Sequence, residues 1–208
     1  MVSRKIVALV LNALVMLFVV YSSVRVCMIE GLSFARYYTH LSNLFAGLMS
    51  AAYVAMRLLK GKNHMASRTF SLLRYCAAAC LFLTFVVVVF VLAPEKGGWN
   101  GYREMLFGPV SFFTHLATPL LFILSFVCFE GDADGLKTWW SVVPTVFYAV
   151  VMIPLNIAKI TYGPYFFLKV RERPVHMTLV WVVVILLVDY VLGWLLLFLR
   201  KRLNHEGR

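Results

Sequence analysis

Charged residues are scarce in this chain, and acidic ones are the scarcest. Aspartate and glutamate account for nine of 208 residues, and all charged residues together for 14%. A soluble domain carries about a quarter charged residues, because its surface must face water. In contrast, 62% of the residues are hydrophobic and the mean hydropathy is +0.85. The composition excludes an ordinary soluble domain and predicts an integral membrane protein.

Motifs for metal, nucleotide or nucleic-acid chemistry are also missing. The four cysteines, Cys27, Cys76, Cys80 and Cys128, lie in or beside apolar runs without a histidine at zinc-ligand spacing. No glycine-rich phosphate loop occurs in the sequence. The net charge of +11 collects at the ends of apolar segments, which is typical of loops that face anionic lipid. We therefore expect no metal, no cofactor and no nucleic-acid partner.

Six apolar windows occupy most of the chain. Each is close to the roughly 20 residues that a helix needs to cross the hydrocarbon of a bilayer. Helices are the expected form, because hydrocarbon cannot satisfy backbone groups that lack a hydrogen bond. The predicted fold is all-α, with residues 1–208 as a single transmembrane domain. The predicted spans of this six-helix bundle are 5–27, 36–59, 71–93, 106–129, 138–161 and 176–199.

The distribution of lysine and arginine predicts the orientation. With both termini in the cytoplasm, the loops 60–64 and 131–135 lie inside and the loop 94–98 lies outside. Twelve lysine and arginine residues then fall on the inner side and eight on the outer side. Cytoplasmic segments carry the excess of these residues, so we predict cytoplasmic termini. The basic loop 163–175 counts against this orientation.

Four prolines, Pro109, Pro119, Pro144 and Pro154, lie inside the predicted fourth and fifth spans. Each removes a helical hydrogen bond and favours a kink. Kinks in neighbouring helices could open a pocket among them. Kinked membrane helices without a pocket are equally common, so both outcomes stay open.

Ionisable residues within spans are costly and call for a partner or a function. Arg74 and Lys159 lie within about two turns of a span end, so we expect their long stems to reach the interface. Asp189 lies ten residues from the inner boundary of its span. It could pair with Arg74, or it could orient a histidine. His115 lies nine residues into the fourth span, as a hydrogen-bonded interior histidine or as a functional group.

A short repeat places hydroxyl and imidazole groups at related depths. Thr39-His40-Leu41 in the second span recurs as Thr114-His115-Leu116 in the fourth, and both spans run in the same direction. If these helices pack together, Thr39 could face His115. A neutral histidine can then take the proton that makes a hydroxyl nucleophilic. Asn43, one turn after Thr39, could donate to an oxyanion or orient a side chain.

These residues carry a resemblance to a known family. The motifs are Tyr37-Tyr38-Thr39-His40-Leu41-Ser42-Asn43-Leu44, Thr114-His115-Leu116-Ala117-Thr118-Pro119-Leu120-Leu121 and Tyr162-Gly163-Pro164-Tyr165-Phe166-Phe167-Leu168. In this order, on six spans, the chain from about Val7 to Leu199 resembles the androgen-induced protein and androgen-dependent TFPI-regulating protein family, with its bacterial six-helix relatives.

The resemblance implies a function and two site residues. Animal members of the family are membrane threonine hydrolases that cleave the branching ester of fatty acid esters of hydroxy fatty acids. Thr39 matches their nucleophile and His115 their base. Asn43 and Asp189 are supporting candidates that the family does not supply. The Ser-Asn pair in the second span and the His-to-Pro spacing follow the bacterial branch, so the substrate is the least transferable property.

We therefore expect an intramembrane lipid ester hydrolase with Thr39 and His115 as catalytic residues. Its partners would be membrane lipids and an amphiphilic fatty-acyl ester, and its location the cell membrane, as a bacterial inner-membrane protein. An acyltransferase that uses the same threonine and histidine is one alternative. A transporter or lipid-binding protein that uses Asp189, Lys159 and His115 is another, and a structural partner subunit is a third.

Overall fold

The structure is a computed structural model that describes residues 3–59, 67–130, 135–172 and 174–205. Within these ranges the chain is helical and contains no β-strand, which confirms the predicted all-α class. The predicted polar loop 60–64, and all of the loop 131–135 except Gly135, lie outside the described residues.

In the described part of the chain, seven α-helices of nine residues or more form the bundle, and a three-residue helix, Ala93–Glu95, follows the first π-helical turn. Two 3-10 helices, Gly31–Arg36 and Thr138–Val142, extend the first and the sixth of them, and Gly31 ends the first helix with a positive φ of 57°. The α-helices are α1 (Arg4–Glu30), α2 (Tyr38–Leu59), α3 (Arg68–Val87), α4 (Trp99–Phe107), α5 (Thr118–Cys128), α6 (Val143–Ile157) and α7 (Val175–His205).

Five helical segments of the described chain are long and apolar enough to cross a membrane. They are Arg4–Arg36, Tyr38–Leu59, Arg68–Glu95, Thr138–Ile157 and Val175–Leu203. A sixth crossing exists if the bent pair Trp99–Phe107 and Phe112–Cys128 counts as one span.

The predicted fourth span, 106–129, is wrong as a continuous helix. The chain bends by 85° between Phe107 and Phe112. Pro109 causes the break, because it lacks an N–H and forces the preceding Gly108 into an extended conformation, with ψ of 156°. The pair consists of a short helix, α4, and a longer apolar helical segment, Phe112–Cys128.

Two π-helical turns, Val88–Leu92 and Phe112–Ala117, each end shortly before a proline, Pro94 and Pro119. In a π-helix each N–H bonds to the carbonyl five residues earlier, and proline has no N–H to give. Each proline therefore leaves one carbonyl without a helical donor. Because such a group is costly in hydrocarbon, the donor must come from elsewhere.

Both of these carbonyls accept a side chain from another helix. The Val89 carbonyl accepts the Tyr102 hydroxyl of α4 at 2.9 Å. The Thr114 carbonyl accepts the Asn43 amide of α2 at 3.0 Å. The same arrangement therefore occurs twice, and in each case a side-chain hydrogen bond connects a π-helical turn to a neighbouring helix.

The helix α3 lies at the centre of the bundle. It packs against α2, α5 and α7, and 61% of its most apolar stretch is buried, against 22–33% for the other membrane-spanning segments. Three consecutive alanines, Ala77, Ala78 and Ala79, are fully buried in it. Small residues allow membrane helices to approach closely, which explains how α3 can contact three neighbours.

Arg74 does not extend to the interface as the sequence predicted. It is 1% exposed, and its guanidinium pairs with Glu130 and donates to the Asn12 side chain at 2.8 Å. The predicted alternative, an Arg74–Asp189 pair, is therefore also wrong. Asn12 lies early in α1 and Glu130 follows α5, so α1 and α3 begin at the end of the bundle where α5 ends.

Replacing Arg74 with methionine should destabilise the fold strongly. The change leaves the Glu130 carboxylate buried without its counter-charge, which costs about 3–5 kcal/mol. Thermal unfolding in detergent measures the loss. The control Lys96→Met breaks an exposed pair with Glu104 and should cost about 0–1 kcal/mol. Equal losses in the two variants would contradict the buried pair.

Candidate active site

The first turn of α2 carries Thr39, the predicted nucleophile, and is fixed from several sides. Thr39 is the second residue of the helix and is 6% exposed. Its N–H donates to the Tyr165 hydroxyl at 3.3 Å, and the Tyr148 hydroxyl donates to the Arg36 carbonyl at 2.6 Å. The first N–H groups of a helix lack helical partners and form its positive end. Thr39 therefore lies where developing negative charge is favoured.

Asn43 lies beneath Thr39, but its position excludes the predicted oxyanion role. Its amide nitrogen donates to the Thr39 carbonyl at 2.8 Å and to the Thr114 carbonyl at 3.0 Å. An amide has two N–H donors, and both are occupied. Asn43 instead acts as a positioning residue that links the turn with Thr39 to the π-helical turn with His115.

His115, the predicted base, lies in the π-helix Phe112–Ala117. Its Nδ1 lies 2.7 Å from the Met105 carbonyl of α4. Since a carbonyl only accepts, Nδ1 carries the proton in this hydrogen bond, and the neutral ring has its lone pair on Nε2. The bend between α4 and the π-helix brings Met105 to this position. The group that orients His115 is thus a backbone carbonyl, where the sequence suggested Asp189.

Thr39 and His115 lie on the walls of one polar cavity of about 480 Å³. They do not hydrogen-bond to each other. The cavity lies between the C-terminal end of α1, the start of α2 and residues 92–96, which follow α3. The bend between α4 and the π-helix and the loop 164–169 complete its wall. Other polar side chains on its wall are Glu30, Tyr37, His40, Glu95, Lys96, Ser111, Thr114, Tyr165 and Lys169.

A second, narrow cavity of about 60 Å³ lies on the other side of Thr39. Its lining is mainly aliphatic and aromatic, from α2, α3, α6 and α7, and includes Leu83, Val87, Val88, Leu92, Ala149, Phe167, Leu168, Val182, Ile185 and Leu186. Thr39, Tyr165 and Leu92 line both cavities. The Thr39 side chain therefore lies at the boundary between a polar compartment and an apolar one.

The Asp189 side chain does not hydrogen-bond to His40 or to His115. It is fully buried in α7, and its Oδ2 accepts the Thr145 hydroxyl at 2.5 Å. The Thr145 oxygen lies 2.8 Å from the Tyr38 hydroxyl. Asp189 therefore does not have the predicted position for orienting a histidine. Asp189 instead ends a chain of hydroxyls that holds Tyr38, the residue before Thr39.

Tyr165 entered the sequence analysis only as part of the 162–168 motif, yet its hydroxyl lies next to the Thr39 hydroxyl. The two hydroxyl oxygens are 3.5 Å apart. The loop folds back because Gly163 lies against Asn156, whose amide donates to the Leu168 carbonyl at 2.7 Å. A Cβ at Gly163 would lie 2.4 Å from that amide nitrogen. The loop motif was visible in the sequence, but its contact with Thr39 was not.

His40, named in the sequence analysis only as part of the short repeat, also lies at this site. It lines the polar cavity together with His115, and its ring meets Tyr37 edge to face at 5.5 Å. Lys159, proposed for a relay, follows the end of α6 and is exposed. The structure therefore groups Thr39, His40, His115 and Tyr165 around one cavity, and places Lys159 and Asp189 elsewhere.

A double-mutant cycle tests the link between α2 and the π-helix. Asn43→Ala leaves the Thr114 carbonyl without its donor and should cost about 1–3 kcal/mol in unfolding free energy. Pro119→Ala supplies an N–H for that carbonyl, so the same Asn43 change should cost less in the Pro119→Ala background. Thermal unfolding of the four proteins gives the coupling. Strict additivity would show that Asn43 does not compensate for Pro119.

Comparison with known proteins gives no match: no protein-family model, no curated protein and no solved structure is significantly similar to this chain. The arrangement of side chains around Thr39 is therefore the basis for assigning a function.

Proposed function

We propose that this chain is an intramembrane hydrolase of fatty-acyl esters, with Thr39 as nucleophile and His115 as base. The observation that carries the proposal is the place of Thr39, at the positive end of α2 and on the boundary between a polar and an apolar cavity. An amphiphilic ester has its carbonyl between a polar and an apolar part. It fits this boundary with the carbonyl beside Thr39.

In the acylation step the Thr39 oxygen attacks the ester carbonyl carbon. His115 Nε2 takes the threonine proton, directly or through one water molecule in the shared cavity. The carbonyl π electrons move to oxygen and form an oxyanion. When the C=O bond re-forms, the ester C–O bond breaks, and the alcohol leaves with the proton from His115. The product is an acyl-threonine.

In the deacylation step water repeats the sequence. His115 takes a proton from water, and the hydroxide attacks the acyl carbon. The second oxyanion collapses, the bond to Thr39 breaks, and the threonine oxygen recovers the proton from His115. The Met105 carbonyl supports both steps, since it keeps the proton on Nδ1 and the lone pair on Nε2.

The two cavities favour a particular class of ester. The narrow cavity has an aliphatic and aromatic wall suited to an acyl chain, whereas the polar cavity carries charges of both signs suited to a polar leaving group. Fatty acid esters of hydroxy fatty acids, which the family resemblance suggests, combine an apolar acyl chain with a leaving group that ends in a carboxylate. With cytoplasmic termini in a cell membrane, the site would lie near the outer face.

Labelling with a fluorophosphonate probe tests the proposed nucleophile. In detergent, the wild-type protein should be labelled, Thr39→Ala should not be labelled, and Thr39→Ser should retain labelling. His115→Ala should slow labelling by about 10²–10⁴-fold, because the base is removed. Matched controls are Thr118→Val, a buried threonine away from both cavities, and His176→Ala, an exposed histidine at the start of α7.

Other outcomes separate the alternatives. Equal labelling of wild type and Thr39→Ala would exclude the threonine and leave the transporter or binding protein. If Thr39→Ala loses labelling and the wild-type protein transfers the acyl group to an added lipid alcohol in place of releasing fatty acid, the chain is an acyltransferase that uses the same residues.

Filling the narrow cavity should change the preference for acyl-chain length. Ala149 lines this cavity, and the phenyl ring of a phenylalanine there would take the space of at least two acyl methylenes, each contributing about 0.8 kcal/mol on burial. Ala149→Phe should reduce kcat/KM for p-nitrophenyl palmitate about tenfold more than for p-nitrophenyl butyrate. Ala158→Phe, just after α6, is the control. Equal reductions for both esters would place the acyl chain elsewhere.

A further inference from the structure

Attack by Thr39 creates an oxyanion, and a dry site must supply a hydrogen-bond donor for it. The donor must lie beside the Thr39 hydroxyl, and its proton must not already be used. The polar side chains around Thr39 differ in this respect. The acceptor of each hydroxyl or amide proton shows which groups could donate to the oxyanion.

Several nearby protons are committed to backbone carbonyls. Both N–H groups of Asn43 go to the carbonyls of Thr39 and Thr114. The Thr114 hydroxyl donates to the Val110 carbonyl in the bend just before its helix, and the Tyr148 hydroxyl donates to the Arg36 carbonyl. None of these groups can turn to an ester without breaking an existing hydrogen bond.

The remaining hydroxyls on the α3 and α6 sides are committed as well. Ser42 donates to the Thr39 carbonyl at 2.9 Å, and Thr84 donates to the carbonyl of Cys80 at 2.9 Å. Thr145 donates to Asp189, so its oxygen must accept the proton of Tyr38 in their 2.8 Å contact.

Tyr165 differs from these residues. Its oxygen accepts the Thr39 N–H at 3.3 Å and lies 3.5 Å from Thr39 Oγ1. Among the described residues no carbonyl accepts its proton. Burial raises the pKa of the Tyr165 phenol above its usual range, so the group keeps its proton. Its side chain also lines both cavities, at the place where the ester carbonyl would lie.

We propose that Tyr165 is a third catalytic residue, which donates its hydroxyl proton in a hydrogen bond to the oxyanion formed at Thr39. This inference rests on the proposed ester hydrolysis and names the hydrogen-bond donor to the oxyanion in the same site. The tyrosine would touch the reacting oxygen directly, which distinguishes it from the positioning residues Asn43 and Asp189.

The surroundings of Tyr165 favour this role. The Thr39 N–H donates into the phenol oxygen and polarises its O–H, as in any hydrogen-bond chain, and the positive end of α2 acts in the same direction. The ring is held by a stack on Phe167, with centroids 5.3 Å apart and planes at 11°. The donor is therefore oriented before the substrate arrives and needs little reorganisation during the reaction.

Kinetics of Tyr165→Phe test the inference, because phenylalanine keeps the ring and its stack and removes only the hydroxyl. With p-nitrophenyl palmitate, kcat should fall about 10²–10³-fold with little change in KM. The affinity for an alkyl trifluoromethyl ketone, which forms a tetrahedral adduct with an active nucleophile, should fall by a similar factor. A packing role would not produce this parallel loss.

Two comparisons make the result decisive. Tyr162→Phe is the matched control, because Tyr162 lies in the same loop and its hydroxyl pairs with Glu172; it should keep wild-type kinetics. Unchanged kcat in Tyr165→Phe, with Thr39→Ala inactive, would overturn the inference and leave the proposed function intact. Full activity of Thr39→Ala would overturn the proposed function, and the role of Tyr165 with it.

Discussion

A carbonyl without a donor is the constraint on which the arrangement of this site depends. Pro119 withholds the N–H that the π-helical register would supply to the Thr114 carbonyl, and Asn43 supplies it from α2. Within a bilayer neither water nor lipid tails can take its place. The need to satisfy one backbone oxygen therefore fixes the distance between two helices. Because Asn43 also binds the Thr39 carbonyl, the same side chain fixes the turn that carries Thr39 relative to the turn that carries His115.

The rest of the site follows from where helices begin and end. Thr39 lies at the start of α2, Met105 near the end of α4, and Tyr165 in a loop closed by Gly163 and Asn156. At such places backbone N–H and carbonyl groups are free to bind side chains, which the interior of a helix does not allow. The opposite end of the bundle is stabilised by the buried Arg74–Glu130 ion pair, and neither of these residues lines the polar cavity.

The sequence predicted the helices well and their interruptions poorly. Runs of apolar residues reported the long segments to within a few residues, because hydrophobic length is a local property. The bend at Pro109 and the register change before Pro119 depend on which partner satisfies each freed carbonyl, and that partner lies far away in sequence. Glu130 escaped notice for a similar reason: it lies just past a predicted span end, and only packing brings it to Arg74.

For the candidate site, the Thr-His repeat correctly suggested that Thr39 and His115 share one region, since both line the polar cavity. Spacing along a helix could not choose between the two roles considered for Asn43, because it cannot show whether an amide proton is already used. Nor could it show that Asp189 accepts from Thr145. Tyr165 was missed because aromatic residues near span ends have an ordinary explanation in the headgroup region. The catalytic roles of Thr39 and His115 remain predictions.

The π-helical turn Phe112–Ala117 has a consequence for how this chain can tolerate insertions and deletions. A π-turn holds one residue more than the α-helical turn it replaces. That extra residue separates the face that His115 presents to the cavity from the face that α5 presents to α1 and α3. In a regular α-helix, loss of one residue rotates everything that follows by about 100°. Here the same loss can convert the π-helical turn into an α-helical one, so α5 would keep its packing against α1 and α3 and only the turn that carries His115 would change.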